Sequence, residues 1–222
     1  MPFSGTPEPF PVVELWSDAD FRAVIKPIGI DVELTFAGQV IHRLDTPVSG
    51  VLLLGKSSRA LEAGSALFAN RGVHKVYWAV VAKPLPSGSG RLRHWLEHRQ
   101  KGNKTYAHKQ AAKGRLDSWL DYRLLAQGDR YTLYEIVLGT GRTHQIRAQL
   151  AAAGSPVKGD LKYGAKRSNP GGGISLLARS LTFNHPFTEK LIHLEAPAPE
   201  GDALWAALAH AGEASPPAGQ TV

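Results

Sequence analysis

The sequence predicts an α+β domain built on a mixed, largely antiparallel sheet with helices and loops on its flanks. Strand-like segments dominate, and the helical segments interrupt them without strict alternation, which is typical of α+β folds. The apolar run at residues 51–54 predicts a strand buried on both faces. Residues 73–82 alternate in polarity, as a half-buried strand does.

Local signals predict the other elements in chain order. A short strand is expected at residues 21–25, and a helix follows the buried strand, with Ser57 or Ser58 as N-cap and an end near Asn70. A second helix is expected after residues 139–142, with Thr143 as N-cap and Gly154 at its end, and a closing helix at 202–210. Further strands are expected at 118–125, 131–138, 176–183 and 190–196, and a strand or turn at 91–98.

The length allows one large domain or two small ones, and a single domain over residues 11–211 is expected. Residues 1–10 and 212–222 are rich in proline, glycine and serine and are expected to be flexible. No apolar run approaches the length that a bilayer needs, and the first residues lack a signal-peptide pattern. A cytoplasmic, monomeric protein without a membrane partner or an obligate protein partner is expected.

The absence of cysteine restricts the chemistry. Disulfides, zinc–thiolate sites and thiolate nucleophiles are excluded. The nine histidines are scattered and form no His-Glu-x-x-His motif, so no metal site is predicted.

Positive charge is concentrated in two segments of a chain whose formal net charge is +7. Residues 99–115 carry six basic side chains and no acidic one, and residues 158–167 carry four basic side chains against Asp160. Each segment also contains glycine and a tyrosine, Tyr106 or Tyr163, which fits a flexible arm that touches phosphates and offers a ring for a base to stack on. Solvated loops are the simpler explanation, but two such segments favour a nucleic acid as the partner.

Asp45 is the first candidate catalytic residue. It follows His42 and Arg43 and precedes Thr46-Pro47, where the proline forces a turn before the buried strand. A loop attached to a rigid strand can hold a carboxylate in place and still expose it to a substrate. An aspartate before a turn is also commonly structural, so this motif alone does not decide its role.

A second motif, residues 141–147, follows a predicted strand and opens a helix. Ile146 and Leu150 define the core-facing side of that helix, which places Arg147 on its flank. A half-buried arginine needs an anionic partner because burying its charge alone is costly. A structural ion pair with any of the 19 acidic residues would satisfy it.

Together these segments resemble the RluA-type RNA pseudouridine synthases. The resemblance covers approximately residues 24–197 and rests on four ordered motifs: His-Arg-Leu-Asp with Ser-Gly-Val-Leu-Leu-Leu at 42–54, Lys-Val-Tyr-Trp-Ala-Val-Val at 75–81, Gly-Arg-Thr-His-Gln-Ile-Arg at 141–147, and Gly-Asp with Tyr-Gly at 159–164. Val48 departs from the family, which usually has threonine at this position. The resemblance also implies the pseudouridine synthase-like fold, with a catalytic cleft across the sheet.

The resemblance implies roles for individual residues. Asp45 would be the catalytic carboxylate, Tyr77 would pack against the target base, and Arg147 would pair with Asp45 and favour its ionised form. Arg43 would enter the RNA at the position that the target base vacates. The side chains expected to contact RNA are Arg43, Lys75, Lys101, Lys104, Lys109, Arg142 and Lys162.

The function that the resemblance implies is isomerisation of uridine to pseudouridine in rRNA or tRNA, without a cofactor. The carboxylate would either attack C1′ of the ribose or withdraw its 2′ proton to give a glycal, and the sequence leaves both routes open. Two alternatives are a non-catalytic RNA-binding or ribosome-assembly protein on the same fold, and a hydrolase that uses Asp45 with His42 or His144.

Overall fold

The computed structural model describes residues 12–213, which fold around one ten-stranded sheet. Its strands are β1 (Val13–Ser17), β2 (Phe21–Lys26), β3 (Ser49–Gly55), β4 (Val73–Val81), β5 (Ser89–Arg99), β6 (Lys104–His108), β7 (Leu116–Gln127), β8 (Thr132–Leu138), β9 (Leu176–Asn184) and β10 (Leu191–Glu195). The helices are α1 (Val32–Thr35), α2 (Ser58–Ala69), α3 (Gln145–Ala152) and α4 (Ala203–Glu213), with a 3-10 turn at Leu161–Tyr163.

The sheet is mixed and mostly antiparallel, which confirms the predicted fold class. Its strand order is β1-β2-β3-β9-β4-β8-β7-β5-β6, and β10 pairs with β9. The pair β3–β9 is parallel, whereas every other strand pair of the described residues is antiparallel. At this pair a Cβ on Gly50, whose φ is +123°, would lie 2.2 Å from the carbonyl oxygen of Ala178. Glycine is therefore required where the chain enters β3.

Apolar side chains form a core on each face of the sheet. Leu53 of β3 packs in the core that includes Ala60 of α2 and Trp205 of α4. Leu52 and Leu54 point to the opposite core, which includes Ile146 of α3. Strand β3 is thus buried on both faces, as its apolar sequence predicts.

Most predicted elements are present, but three segments differ. Strands β1 and β6 and the short helix α1 were not predicted. The basic segment that was expected to be a flexible arm is partly ordered, since β5 and β6 pair as a hairpin from Trp95↔His108 to Arg99↔Lys104. Strand β5 connects the hairpin to the rest of the sheet, because its residues 89–96 pair with β7 and its residues 95–99 pair with β6.

The predicted N-cap of α3 is wrong. His144, and not Thr143, occupies the N-cap position, in the left-handed conformation (φ 54°, ψ 22°) and without a side-chain cap. The amide of Arg142 instead donates to Oε1 of Gln145 at 3.1 Å, and that oxygen also accepts from Thr140 Oγ1 at 2.7 Å. The first helical side chain therefore organises the preceding loop.

The predicted flexible tails lie outside the described residues, except that α4 extends to Glu213. Within residues 12–213 no helix is long and apolar enough to span a bilayer.

Candidate active site

The loop that carries Asp45 is fixed by hydrogen bonds on both sides of that residue. The carbonyl of Asp45 accepts from the amide of Val48 at 2.9 Å, which closes the turn into β3. The carbonyl of Thr46 accepts from the amide of Gly29 at 2.8 Å and from Nζ of Lys26 at 3.3 Å. Val48 itself is buried in the core below the loop. The carboxylate therefore projects from an anchored backbone.

Lys26 is a fully buried cation that anchors this loop. Its Nζ donates to the carbonyls of Pro27 at 2.8 Å and Ile30 at 3.1 Å as well as to Thr46. Burial lowers the pKa of Lys26 to about 8, against the opposing effect of the negative charges of Asp45 and Asp31. The ammonium thus remains mostly charged at neutral pH and binds three carbonyl oxygens, as a buried cation must.

Arg147 joins two carboxylates. Its Nε lies 2.6 Å from Oδ2 of Asp160 and its Nη2 lies 3.0 Å from Oδ1, which is a bidentate pair. Its Nη1 donates to Oδ2 of Asp45 at 2.9 Å. Burial acts to lower the pKa of Arg147, but the hydrogen bonds and charges of Asp160 and Asp45 outweigh it and raise the pKa. The guanidinium is therefore a permanent, fixed cation.

The two oxygens of Asp45 have different surroundings. Oδ2 faces Nη1 of Arg147 and also lies 3.6 Å from Nε2 of His144. Among residues 12–213, Oδ1 has no hydrogen-bond partner. The side chain is 16% exposed and lines a cleft of about 900 Å³. One oxygen is thus held, and the other is available to a ligand.

The lining of the cleft carries mostly positive charge. Within the described part of the chain, Asp45 is the one carboxylate in this lining. Aromatic side chains from α2 and β4, Phe68 and Tyr77, also face it. The cationic residues of the lining are Arg43, Arg71, Lys75, Arg142 and Arg147. Such a surface attracts a polyanion and offers rings to a base.

Tyr77 lies on β4, on the cleft wall with Lys75. Burial raises the pKa of its hydroxyl, and the negative charge of Asp45 raises it further. The hydroxyl therefore stays protonated across the physiological range, so Tyr77 is not suited to act as a base. Its ring is placed to pack against a planar ligand.

His42 is unavailable as a general base. Its Nε2 accepts a hydrogen bond from the amide of Leu53 at 2.9 Å, and its ring stacks on Phe68 with 4.2 Å between centroids. Burial lowers the pKa of His42 to about 3, and the positive charge of Lys75 lowers it in the same direction. His42 is therefore excluded as the catalytic base of the hydrolase alternative.

The predicted RNA-contacting residues fall into two groups. Arg43, Lys75 and Arg142 line the cleft, and Arg43 also forms an exposed ion pair with Glu33 at 2.9 Å. The other four lie on or beside the β5–β6 hairpin and outside the cleft lining: Lys101, Lys104, Lys109 and Lys162.

Lys162 has a structural contact that the sequence did not predict. Its Nζ donates to the carbonyls of Gly102 at 3.2 Å and Asn103 at 3.0 Å, which form the turn of the β5–β6 hairpin. It therefore fastens the hairpin to the segment after α3.

Three further residues contribute to the site without having been predicted to do so: Lys26, Arg71 and Asp160. His144 was a candidate only in the hydrolase alternative. Asp160 lies in a motif of the resemblance, and the need of a buried arginine for a second anion could have identified it. Arg71 follows the C-cap of α2, Asn70, in the left-handed conformation (φ 59°), a state that its sequence context does not indicate.

One group outside the cleft has metal-ligand composition. Asp18, Asp20 and His185 place ligand atoms within 4.8 Å of one another in the described residues. Nδ1 of His185, however, accepts from the amides of Phe187 and Thr188, each at 3.2 Å. The proton of the neutral ring is then on Nε2, which lies 2.9 Å from Oδ2 of Asp18. This tautomer does not suit a metal ligand and indicates a structural Asp–His contact.

The sequence is similar to a known family and to several of its members. Residues 28–152, more than half of the chain, match the sequence model of the family described as RNA pseudouridylate synthase. An uncharacterized RNA pseudouridine synthase of Bacillus subtilis is 32% identical over 161 residues, which cover 72% of this chain and 52% of that protein. The ribosomal large subunit pseudouridine synthase D of Xylella fastidiosa is 32% identical over 174 residues, covering 72% and 51%.

A tRNA pseudouridine synthase C of Pectobacterium carotovorum is 33% identical over 184 residues, covering 74% of this chain and 47% of that protein. The chain therefore spans about half the length of the curated relatives that it matches.

Solved structures show the same fold. The human RNA pseudouridylate synthase domain containing 1 superposes with a TM-score of 0.76 at 24% identity, covering 96% of this chain and 98% of that one. The human RNA pseudouridylate synthase domain containing 4 superposes with a TM-score of 0.72 at 20% identity, covering 90% and 93%. The family match and the curated relatives confirm the resemblance: the chain belongs to the RNA pseudouridylate synthase family and is of the RluA type.

Proposed function

We propose that this chain is an isomerase that converts specific uridines of structured RNA, rRNA or tRNA, to pseudouridine, with Asp45 as its catalytic group. The observation that carries the proposal is the asymmetry of the carboxylate. Oδ2 is held by Arg147 at 2.9 Å, whereas Oδ1 has no partner among residues 12–213 and borders a basic cleft. A carboxylate that acts as a nucleophile or base needs one oxygen held in position and the other free to reach the substrate.

Two routes begin from this geometry. Oδ1 attacks C1′ of the ribose while the bond from C1′ to N1 of uracil breaks, or it takes the 2′ proton while the same bond breaks and a glycal forms. In either route the released uracil turns within the cleft. C5 then bonds to C1′ while the bond from C1′ to Oδ1 breaks in the first route, or while Asp45 returns the proton to C2′ of the glycal in the second, and N1 of the uracil takes up a proton. The hydrogen of C5 then leaves as a proton, so the product is an isomer of the substrate. The reaction transfers no electrons to an acceptor, so the proposal includes no cofactor.

The cleft residues have complementary roles in this proposal. The target uridine must leave its stack before a carboxylate can reach the sugar. Tyr77 packs against the extruded base, and Arg43 takes the place that the base leaves. Lys75 and Arg142 neutralise neighbouring phosphates, which is the dominant source of affinity in RNA binding.

The relatives and the charge distribution support the proposed substrate class. Relatives at 32–33% identity are named as acting on ribosomal large subunit RNA or on tRNA. The hairpin lysines Lys101, Lys104 and Lys109 extend the basic surface beyond the cleft, as contact with a folded RNA requires. A monomer that acts in the cytoplasm completes the proposal.

Release of tritium from RNA labelled at C5 of uracil tests this function. Total RNA from a strain that lacks the gene, labelled in this way, should release tritium on incubation with the chain while the strands stay intact. Binding without tritium release would contradict the proposal and favour the non-catalytic RNA-binding alternative. Release that accompanies strand cleavage would favour a hydrolase.

A further inference from the structure

A chain of buried polar groups connects Asp45 to the β5–β6 hairpin. The amide of Thr105, on β6, donates to the hydroxyl of Tyr163 at 2.8 Å. That hydroxyl lies 3.0 Å from Nδ1 of His144. On the other side of the same ring, Nε2 of His144 lies 3.6 Å from Oδ2 of Asp45. Thr105, Tyr163 and His144 are all buried.

These hydrogen bonds favour one tautomer of His144. The oxygen of Tyr163 accepts from a backbone amide, which can only donate, so the one hydroxyl hydrogen is free to donate to Nδ1 of His144. An Nδ1 that accepts carries no proton. The neutral ring must then be protonated on Nε2, the nitrogen that faces Asp45.

The same strand also fixes the backbone of His144. Oγ1 of Thr105 donates to the carbonyl of Thr143 at 2.8 Å and accepts from Nδ1 of His98 at 3.0 Å. This holds the peptide that enters His144, whose φ of 54° is rare for a residue with a side chain. Strained backbone of this kind is concentrated at functional sites.

We propose that His144 is a positioning residue that donates from Nε2 to Oδ2 of Asp45. Its tautomer is set by Tyr163, whose hydroxyl is in turn held by Thr105 of the RNA-contacting hairpin. The proposal rests on the proposed function. Arg147 and His144 then converge on one oxygen and direct the other, Oδ1, toward the ribose. The separation of 3.6 Å is longer than a hydrogen bond. It shortens when RNA engages the hairpin, as such contacts commonly do on substrate binding.

The groups around the ring are compatible with a neutral donor. Burial lowers the pKa of His144 to about 4; the charge of Asp45 acts in the opposite direction, while Arg147, Lys162 and His98 add to the lowering. These groups come from the loop before β3, from α3, from the 3-10 turn and from β5, and Tyr163 completes the surroundings. The imidazole is therefore uncharged at neutral pH.

Nitrogen-15 NMR of the full chain tests the tautomer without any activity measurement. The ring signals of His144, assigned by their loss in His144→Leu, should show a protonated Nε2 and an unprotonated Nδ1 at pH 7. In Tyr163→Phe, which removes the hydroxyl donor, this preference should weaken. A wild-type ring that is protonated on Nδ1, or that is charged, would overturn the proposal.

Kinetics of tritium release test the role. His144→Leu should lower kcat by roughly 10- to 100-fold, the range for loss of one hydrogen bond to a charged group, with KM changed less than about threefold. His144→Gln, which restores an N–H donor, should regain part of kcat. His210→Leu, an exposed change on α4, is the matched control. Thermal unfolding checks that each variant is folded.

Equal kcat in His144→Leu and the wild type would overturn the positioning role and leave the proposed function intact. Equal losses in the Leu and Gln variants would overturn it as well, since a merely structural ring explains them. If the wild-type chain releases no tritium from any RNA, the proposed function fails, and the tautomer measured by NMR alone decides whether His144 faces Asp45 as a donor.

Discussion

Nη1 of Arg147 lies 2.9 Å from Oδ2 of Asp45, and the other two nitrogens of the same guanidinium are bound to Asp160. Asp160 is 1% exposed, whereas Asp45 borders the cleft. The deeper carboxylate therefore orients the arginine, and the arginine orients the outer carboxylate. An arginine held in this bidentate way has little freedom to move when a substrate arrives.

Arg147→Met should destabilise the fold as well as the site. The change leaves Asp160 buried without its cation, which costs about 3–5 kcal/mol of unfolding free energy. Urea denaturation measures this value. Arg142→Met, at an exposed position five residues earlier, should change it by less than about 0.5 kcal/mol. Equal effects of the two changes would contradict the role of Arg147 as the centre of a buried charge network.

Tyr77→Phe should leave most of the activity, because no hydrogen bond to the hydroxyl of Tyr77 is present among residues 12–213 and its raised pKa keeps it protonated. We expect kcat for tritium release to fall by less than about tenfold. Tyr77→Leu removes the ring and should cost more, since base stacking on an aromatic side chain contributes about 1–3 kcal/mol. A loss in the Phe variant as large as in the Leu variant would instead assign proton transfer to the hydroxyl.

Lys101→Ala combined with Lys109→Ala should weaken binding to all RNAs alike. Both side chains are exposed on or beside the hairpin, and two lost phosphate contacts should reduce the slope of log affinity against log salt by about 1.4 to 1.8. Filter binding at several salt concentrations measures the slope. The control is Lys83→Ala with Arg130→Ala, which removes the same charge. These residues follow the ends of β4 and β7, away from the hairpin turn, so the salt slope should stay unchanged. Equal slopes for the two double variants would exclude the hairpin as a phosphate contact.

The sequence predicted the sheet well because its strands carry their own signal. The run at residues 51–54 is apolar at every position, which a strand buried on both faces requires, and Leu52 and Leu53 indeed point to opposite cores. Strand β6 was missed because lysine, histidine and glycine surround it and its partner supplies its stability. Strand formation in such a segment depends on its cross-strand neighbours, which a single sequence does not display.

The site was predictable only in part, and for a related reason. Asp45 and Arg147 are 102 residues apart, and the family resemblance, not the spacing, suggested that they pair. The second partner, Asp160, and the left-handed conformation of His144 depend on how α3 packs against β6, which no local pattern encodes. Lys162 was expected to contact RNA, and no local pattern indicated that its ammonium also binds two carbonyls of the hairpin turn.

Acidification should reduce stability through His42. Its pKa is lowered from 6.5 to about 3 in the folded chain, so below pH 6.5 the unfolded chain binds a proton that the folded ring does not. The unfolding free energy should then fall by up to about 2 kcal/mol for this group between pH 7 and pH 5. Urea denaturation at the two pH values should show a smaller fall in His42→Gln than in the wild type. His210→Gln should show the wild-type fall, and the same fall in His42→Gln would contradict a buried neutral His42.

Asp45→Asn keeps the size of the side chain and removes its charge. It should retain RNA binding within about threefold, because the cationic lining of the cleft is unchanged, and lower tritium release by at least roughly 10³-fold, because an amide can neither attack C1′ nor take the 2′ proton. Loss of binding together with activity would indicate misfolding and is checked by thermal unfolding.

Tritium release from C5-labelled RNA by the wild type and by Asp45→Asn, with binding measured in parallel, tests the central claim most directly. We expect release by the wild type, none above background by the variant, and equal binding by both. Release by a folded Asp45→Asn chain at the wild-type rate would contradict it.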